Sequence, residues 1–158
     1  MAAYGLRPVE LSYLRISATG ELWCDYRKRS GGGTTQPRQL RALHPEWEQE
    51  WQLRERIAAG DALPPDGGGY GNAARRYLDR QSVWCPMKAA GCTSYSFRHG
   101  YALRAHQAFG LSVRVAAKLM GHSVETHVRH YGSWADADTI DAAIAQGMKF
   151  RQLITTAP

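Results

Sequence analysis

The stretch GHSVETHVRHYGSW, residues 121–134, sets His122, His127, Arg129, His130 and Tyr131 close together in the chain. A core helix carries an apolar stripe of about three to four residues per two turns, and this window offers mainly Val124 and Val128 as one i, i+4 pair. Its side chains bind anions, donate hydrogen bonds and carry protons, so the window serves more than burial. Comparable residues stand where elements begin or turn. Arg7 directly precedes Pro8, a residue suited to the first position of a helix. Lys28 lies between Arg27 and Arg29 in a basic run. Tyr95 and Arg98, three apart in YSFRHGYALRAH, share a helix face, while Phe97, Tyr101 and Ala105 form another that can pack inward. Arg98 can then point into a cleft. His122 follows Gly121, past a helix C-cap, and is held on a turn. Taken singly, each has an ordinary reading as a solvated charge or a packing aromatic.

The elements that must position these groups follow from periodicity and punctuation. MAAYGLRPVELSYLRI reads as the end of one helix, a break at Gly5, and a short helix opened by Pro8 with Glu10 in its first turn. GELWCDYRKR is rich in strand formers, SGGGTTQP supplies loop chemistry, and RQLRAL gives a second short strand. Residues 21–43 therefore read as a hairpin with a long tip. From Pro45 to Ala59 the pairs Trp47/Trp51 and Leu53/Ile57 have helical spacing, with the tryptophans as core and Gly60 as the stop. DALPPDGGGYGN is a Pro/Gly-rich connection, a surface loop or lid. Helices are expected over 73–82, 94–109, 112–120, 124–131 and 135–146, the last ended by Gly147. No internal repeat is present.

Composition bounds the function. The chain has 158 residues, 44% of them hydrophobic, which suits one packed domain. Twenty Lys and Arg against 14 Asp and Glu give a net charge of +6 and a pI near 9.5, with Glu46, Glu48, Glu50 and Glu55 crowded on one segment. The remaining surface is thus more basic than the net figure, and a polyanion such as nucleic acid is a reasonable partner. The three cysteines, Cys24, Cys85 and Cys92, contain no CxxC pair, so neither a disulfide framework nor a zinc finger is signalled. No metal site is expected at His127 and His130, which have no cysteine or carboxylate at ligand spacing. No apolar run approaches the roughly 20 residues needed to span a bilayer, and no signal segment opens the chain, so a cytoplasmic setting is expected.

The order of the polar groups is more specific than any of them alone. GLRPVEL, YRKRSGGGTTQPR, YSFRHG, LMGHS and HVRHY follow one another with gaps of 21 residues from Arg7 to Lys28, 24 from Arg98 to His122 and 9 from His122 to Tyr131. In these segments, from Ala3 to about Trp134, the sequence resembles the catalytic domain of the tyrosine recombinases, the phage integrase family. The resemblance implies a mainly helical α+β fold with a small antiparallel sheet, an integrase-like domain over 1–134, and a C-terminal helix and tail over 135–158 that can dock on a neighbouring protomer. It implies Arg7 and Arg98 as phosphate clamps, Lys28 as general acid, His122 as a further hydrogen-bond donor and Tyr131 as nucleophile. Double-stranded DNA is the implied partner, contacted by Arg27, Arg29, Arg129 and His130, with a homo-oligomer on DNA, a nucleoid location and no cofactor.

The chemistry agrees with those roles. Phosphodiester cleavage builds charge on non-bridging oxygens, where guanidiniums offer fixed bidentate donors in place of a metal ion. A phenol with a reference pKa of about 10 must be activated by nearby cations or a proton acceptor. A lysine on a hairpin can protonate the leaving 5′ oxygen, and a 3′ phosphotyrosine retains the bond energy for religation. Glu10 can hold an arginine in orientation, or simply favour the first helical turn. Two departures stand out. Tyr95, counted with the catalytic residues by its position, stands where the family has histidine; a phenol can hydrogen-bond to phosphate but is a poor base at neutral pH. The helix and the N-terminal domain that precede the first arginine in the family have no counterpart here, which points to a truncated integrase. A non-catalytic DNA-binding remnant or fragment, and a type IB topoisomerase-like relaxer, remain the competing functions.

Overall fold

The computed structural model describes residues 1–30, 33–61, 69–134 and 137–155. Pro8, at the first position after the extended Arg7, opens a 3-10 helix, Pro8–Tyr13. The chain then runs into β1 (Leu14–Ile16), β2 (Leu22–Cys24), a two-stranded tip of β3 (Arg29–Ser30) and β4 (Gly33–Thr34), and β5 (Arg38–Gln39). β2 is central in an antiparallel sheet of order β1-β2-β5, with Arg15 opposite Trp23 and Cys24 opposite Arg38. The fold is therefore α+β and mainly helical with a small antiparallel sheet. The hairpin expected over 21–43 gains a third strand, β1, where the Pro8 helix was expected to continue. The β-branched and aromatic character of LSYLRI lets Leu14 and Ile16 pack beside the inner face of β2.

The helix expected over 45–59 is two helices, α1 (Pro45–Glu50) and α2 (Leu53–Ala58). Gln52 adopts a left-handed conformation, φ 49°, and breaks the run. The break corrects the expectation of two core tryptophans. Trp47 is half-buried, stacked between His44 at 4.4 Å and Trp51 at 5.1 Å, whereas Trp51 is 40% exposed. The turn frees Leu53 and Ile57 to pack on the sheet-side core of Ala3, Tyr4, Leu6, Leu22, Cys24 and Leu40. The expected lid falls mainly on residues 62–68, outside the described residues.

The helical half comprises α3 (Tyr70–Leu78), α4 (Cys85–Ala89), α5 (Ser96–Gln107), α6 (Val113–Met120), α7 (Val124–Tyr131) and α8 (Ala137–Thr155). Arg98, Tyr101, Ala102 and Ala105 are the buried stripe of α5, so Arg98 shares a face with Tyr101 and takes the place of its first apolar residue. Phe97 instead stacks on Trp84 at 5.6 Å. Tyr101 is the joint between the halves. Its ring fills the space beneath Gly5 (φ +63°), where an added Cβ would lie 2.7 Å from the ring, and its hydroxyl donates to the Arg41 carbonyl at 3.0 Å. α8 continues through Gly147 and lies against α5, with Gln107 Nε2 donating to Thr139 Oγ1 at 3.2 Å. A single glycine costs a helix only about 1 kcal/mol, so Gly147 does not stop it.

Gly121 ends α6 in the left-handed region, φ +67°, and a Cβ there would stand 2.5 Å from Nη1 of Arg38. Gly121→Ala combines backbone strain with displacement of a buried guanidinium. It is expected to lower the unfolding free energy by about 2 kcal/mol or more, read from chemical denaturation.

Candidate active site

One neighbouring and two sequence-distant arginines converge on Glu10, whose side chain is fully buried. Its carboxylate accepts from the Arg7 backbone N–H at 2.7 Å and from Arg7 Nη1 at 2.8 Å. It also takes a bidentate pair from Arg38 Nη1 and Nη2, both at 3.0 Å, and lies 3.5 Å from Arg98 Nη1. Burial alone would raise its pKa, but the hydrogen bonds and charges of Arg38 and Arg7 hold it below the ordinary glutamate value. One carboxylate therefore stays ionised and orients three guanidiniums. The 3-10 helix begun by Pro8 makes this possible, because it brings residues 7 and 10 onto one side.

Arg98 is 2% exposed. Its Nη1 donates to the Gly5 carbonyl, and its Nη2 donates to the Met120 carbonyl at 2.6 Å and lies 3.2 Å from His122 Nδ1. Burial first, then the charge of Arg7, pull its pKa down to about 10, against the opposing pull of Glu10, so the group remains charged at neutral pH. Tyr131, at the C-terminal end of α7, is 7% exposed, and its hydroxyl hydrogen-bonds to Arg98. Burial raises the phenol's pKa, while the charge and hydrogen bond of Arg98 and the charge of Arg7 oppose the rise. Ser123 caps α7 by accepting from Thr126 N–H at 3.2 Å, which fixes the helix that presents Tyr131.

A groove of about 470 Å³ opens over this cluster, lined by Arg7, Lys28, Arg38, Lys118, His122 and Ser123 among others. Four cations facing one concavity make a site for an anion. Lys28 is exposed, and its strand end is tied across the hairpin by its N–H to Thr35 Oγ1 at 2.8 Å. The structure thus brings Arg7, Lys28, Arg98, His122 and Tyr131 together, with Glu10 beneath them. Tyr95 stands at the start of α5, 45% exposed, its ring 6.2 Å from that of His99, which in turn lies 5.5 Å from the Tyr131 ring, and its phenol acts electrostatically on Tyr131 without lining the groove. Arg27 and Arg129 are exposed away from the groove lining, and exposed His130 has its ring 6.2 Å from that of Tyr131. The side chain of Arg29 lies outside the described residues.

Sequence reasoning missed Arg38, His106 and the burial of His127. Arg38, 6% exposed, ties β5 to the site and also donates from Nε to the Leu119 carbonyl at 2.9 Å. Its place opposite buried Cys24 was the available signal, since strand alternation turns it inward. His127, which the sequence places beside Tyr131 without a partner, is 1% exposed and hydrogen-bonded to both His122 and His106. The i, i+4 pair on α7 that is buried is His127 and Tyr131, while Val124 and Val128 are 37% and 51% exposed. Among the described residues no cluster of His, Cys, Asp and Glu is arranged to hold a metal, and no helix is long and apolar enough to cross a membrane.

Similarity to a known protein extends along nearly the whole of this chain. Excisase A of Nostoc sp. (strain PCC 7120 / SAG 25.82 / UTEX 2576) is 28% identical over 161 residues, covering 96% of the chain. The chain spans 33% of that protein's length. No family model matches the sequence, and no solved structure matches the fold.

Proposed function

We propose that this chain is the catalytic domain of a tyrosine recombinase acting in site-specific DNA excision or integration, cleaving and rejoining a strand through a 3′ phosphotyrosine. The observation that carries the reading is the placement of Tyr131 on Arg98 beside a groove lined by Arg7, Lys28 and His122. A scissile phosphate in that groove meets Arg7 and the outer edge of the Arg98 cluster, which neutralise the charge that grows on its non-bridging oxygens. The Tyr131 oxygen attacks phosphorus and forms the P–O bond to tyrosine as its proton passes to solvent, a loss favoured by the charges of Arg98 and Arg7. The 5′ oxygen departs with a proton from Lys28, whose hairpin position lets it reach over the groove. The reverse sequence, with a 5′ hydroxyl as nucleophile, reseals the strand. Similarity to a protein named as an excisase supports a DNA-excision role.

The deciding experiment incubates the protein with nicked duplexes that release the 5′ fragment and trap the intermediate. A protein–DNA band on a denaturing gel, mapped by mass spectrometry to the peptide bearing Tyr131, is the expected result; a nick with no protein attached would reject the mechanism. Arg7, whose side chain is 14% exposed and lines the groove, is the cleaner clamp to test. Arg7→Ala is expected to slow adduct formation by roughly 10² to 10³, typical of a lost transition-state donor, while non-specific DNA binding falls only modestly.

A second reading has a specific observation behind it. Tyr131 is nearly enclosed, and the relative's name speaks of excision without naming strand cleavage. On that reading the chain is a non-catalytic DNA-binding part of an excision system. It predicts salt-sensitive binding and no adduct under any substrate geometry.

A further inference from the structure

Behind the groove, three imidazoles run in line. His122 Nδ1 faces Arg98 Nη2 at 3.2 Å, and His122 Nε2 faces His127 Nδ1 at 2.7 Å. His127 Nε2 then faces His106 Nε2 at 2.7 Å, and His106 Nδ1 faces the Leu111 carbonyl at 3.0 Å. Both ends fix the protons. A guanidinium can only donate, so His122 Nδ1 must accept; a carbonyl can only accept, so His106 Nδ1 must donate. Each of the two gaps between imidazoles then needs one proton, which makes His122 and His127 Nε2–H tautomers and His106 an Nδ1–H tautomer. An added proton on any ring would set two donors against each other.

We propose that His127 and His106 are positioning residues that lock His122 as a neutral acceptor for Arg98, and through it fix the guanidinium that Tyr131 contacts. The inference rests on the proposed function only for its catalytic consequence. His122 has no other ring nitrogen to spare, since both are engaged by Arg98 and His127. Its role is then to hold Arg98 in place while Arg98 and Arg7 face the phosphate. The relay ends in an apolar cavity of about 230 Å³ lined by Leu103, His106, His127, Val128 and Tyr131.

The surroundings favour the uncharged chain. Arg98 from α5, Arg7, and His130 from α7 act on His122, and Lys118 from α6 lines the same groove. Tyr131 packs on His127 at 4.7 Å, and Asp138 from α8 lines the outer cavity beside His106. Burial first, then Arg98 and His127, hold His122 down at about 3; burial, then His106 and Arg98, hold His127 down at about 4. The folded protein thus refuses protons that the unfolded chain binds near pH 6.5. These two residues add nothing to pH sensitivity above that value and cost stability as pH falls from about 6.5 toward 4.

The test is long-range proton–nitrogen correlation of the imidazoles in the ¹⁵N-labelled full chain, assigned with single variants. The expected spectrum at pH 7 shows His122 and His127 as Nε2–H and His106 as Nδ1–H, with His122 and His127 still neutral at pH 5. A charged ring among the three, or His122 protonated at Nδ1, overturns the proposal. His127→Leu is expected to leave His122 exchanging between tautomers. His127→Asn, whose carbonyl can take the place of Nδ1, is expected to restore the single Nε2–H form, a separation that loss of packing alone would not produce. In the nicked-substrate assay His127→Leu is expected to slow adduct formation about tenfold, with recovery in His127→Asn. An unchanged rate alongside altered tautomers would remove the relay from the reaction. The spectra involve no DNA, so the expected tautomers in a protein that forms no adduct would support the relay and reject strand cleavage.

Discussion

Tyr131→Phe is expected to abolish the covalent protein–DNA adduct, leaving DNA affinity within about twofold of the parent. The substitution removes one oxygen, the atom that on the proposed reading bonds to phosphorus, and no other described hydroxyl shares its place on Arg98 at the end of α7. Binding depends on cations at the groove, Arg7, Lys28, Arg38 and Lys118, none of which the substitution touches. The phenyl ring keeps its packing in the core cluster with Leu43, Tyr101 and Met120. The lost hydrogen bond to a charged partner costs roughly 1.5 to 3 kcal/mol, so the variant should be folded at 25 °C but less stable. A Phe variant that still formed adduct would move the nucleophile elsewhere. Equal salt-dependent binding by both proteins, with no adduct from either, is the signature of the non-catalytic reading.

Glu10→Ala should produce the largest loss of stability. It leaves Arg38 and Arg98, with side chains 6% and 3% exposed, without their shared carboxylate. Breaking a buried ion pair from one side costs about 3 to 5 kcal/mol, because the remaining charge is neither paired nor hydrated. For a domain of this size that corresponds to a fall in Tm of roughly 10 °C, readable by circular dichroism. Glu10→Gln keeps the shape and one acceptor oxygen and should fall between. The same carboxylate sets the acid limit of the fold. Its pKa is lowered in the folded state, so its contribution is present above the ordinary glutamate value of about 4.3 and is lost as pH falls through the depressed one. In Glu10→Gln that acid-side loss should flatten.

The parts of this molecule that were readable in its sequence are those set by local rules. Pro8 starts a turn of helix, Gly121 closes α6, and the strand formers before and after SGGGTTQP make a hairpin; each follows from the backbone preference of a few residues. What local rules do not contain is which face meets what. The spacing of Trp47 and Trp51 is helical, yet the chain turns at Gln52 because α2 packs toward β1. Arg98 and Tyr101 were assigned opposite faces, and they share one because a buried carboxylate makes an arginine acceptable inside. Arg38 and His106 were silent for the same reason. Arg38 meets Glu10 from 28 positions away and His106 meets His127 from 21, separations that no local pattern encodes.

That long-range closure at Glu10 also governs when the site can exist at all. Its contacts join residues 28 and 88 positions apart, while Arg38 reaches Leu119 across 81 and Arg98 reaches Gly5 across 93. Contacts of such separation form late, since the closure entropy of the long intervening chain must be met before they return anything. Isolated helices or a preformed hairpin therefore hold a tyrosine or a lysine but never the assembled cations. On the proposed reading, a nascent or partly unfolded chain can bind DNA by charge and still be unable to nick it, so the genome is exposed to its chemistry only by molecules that have finished folding.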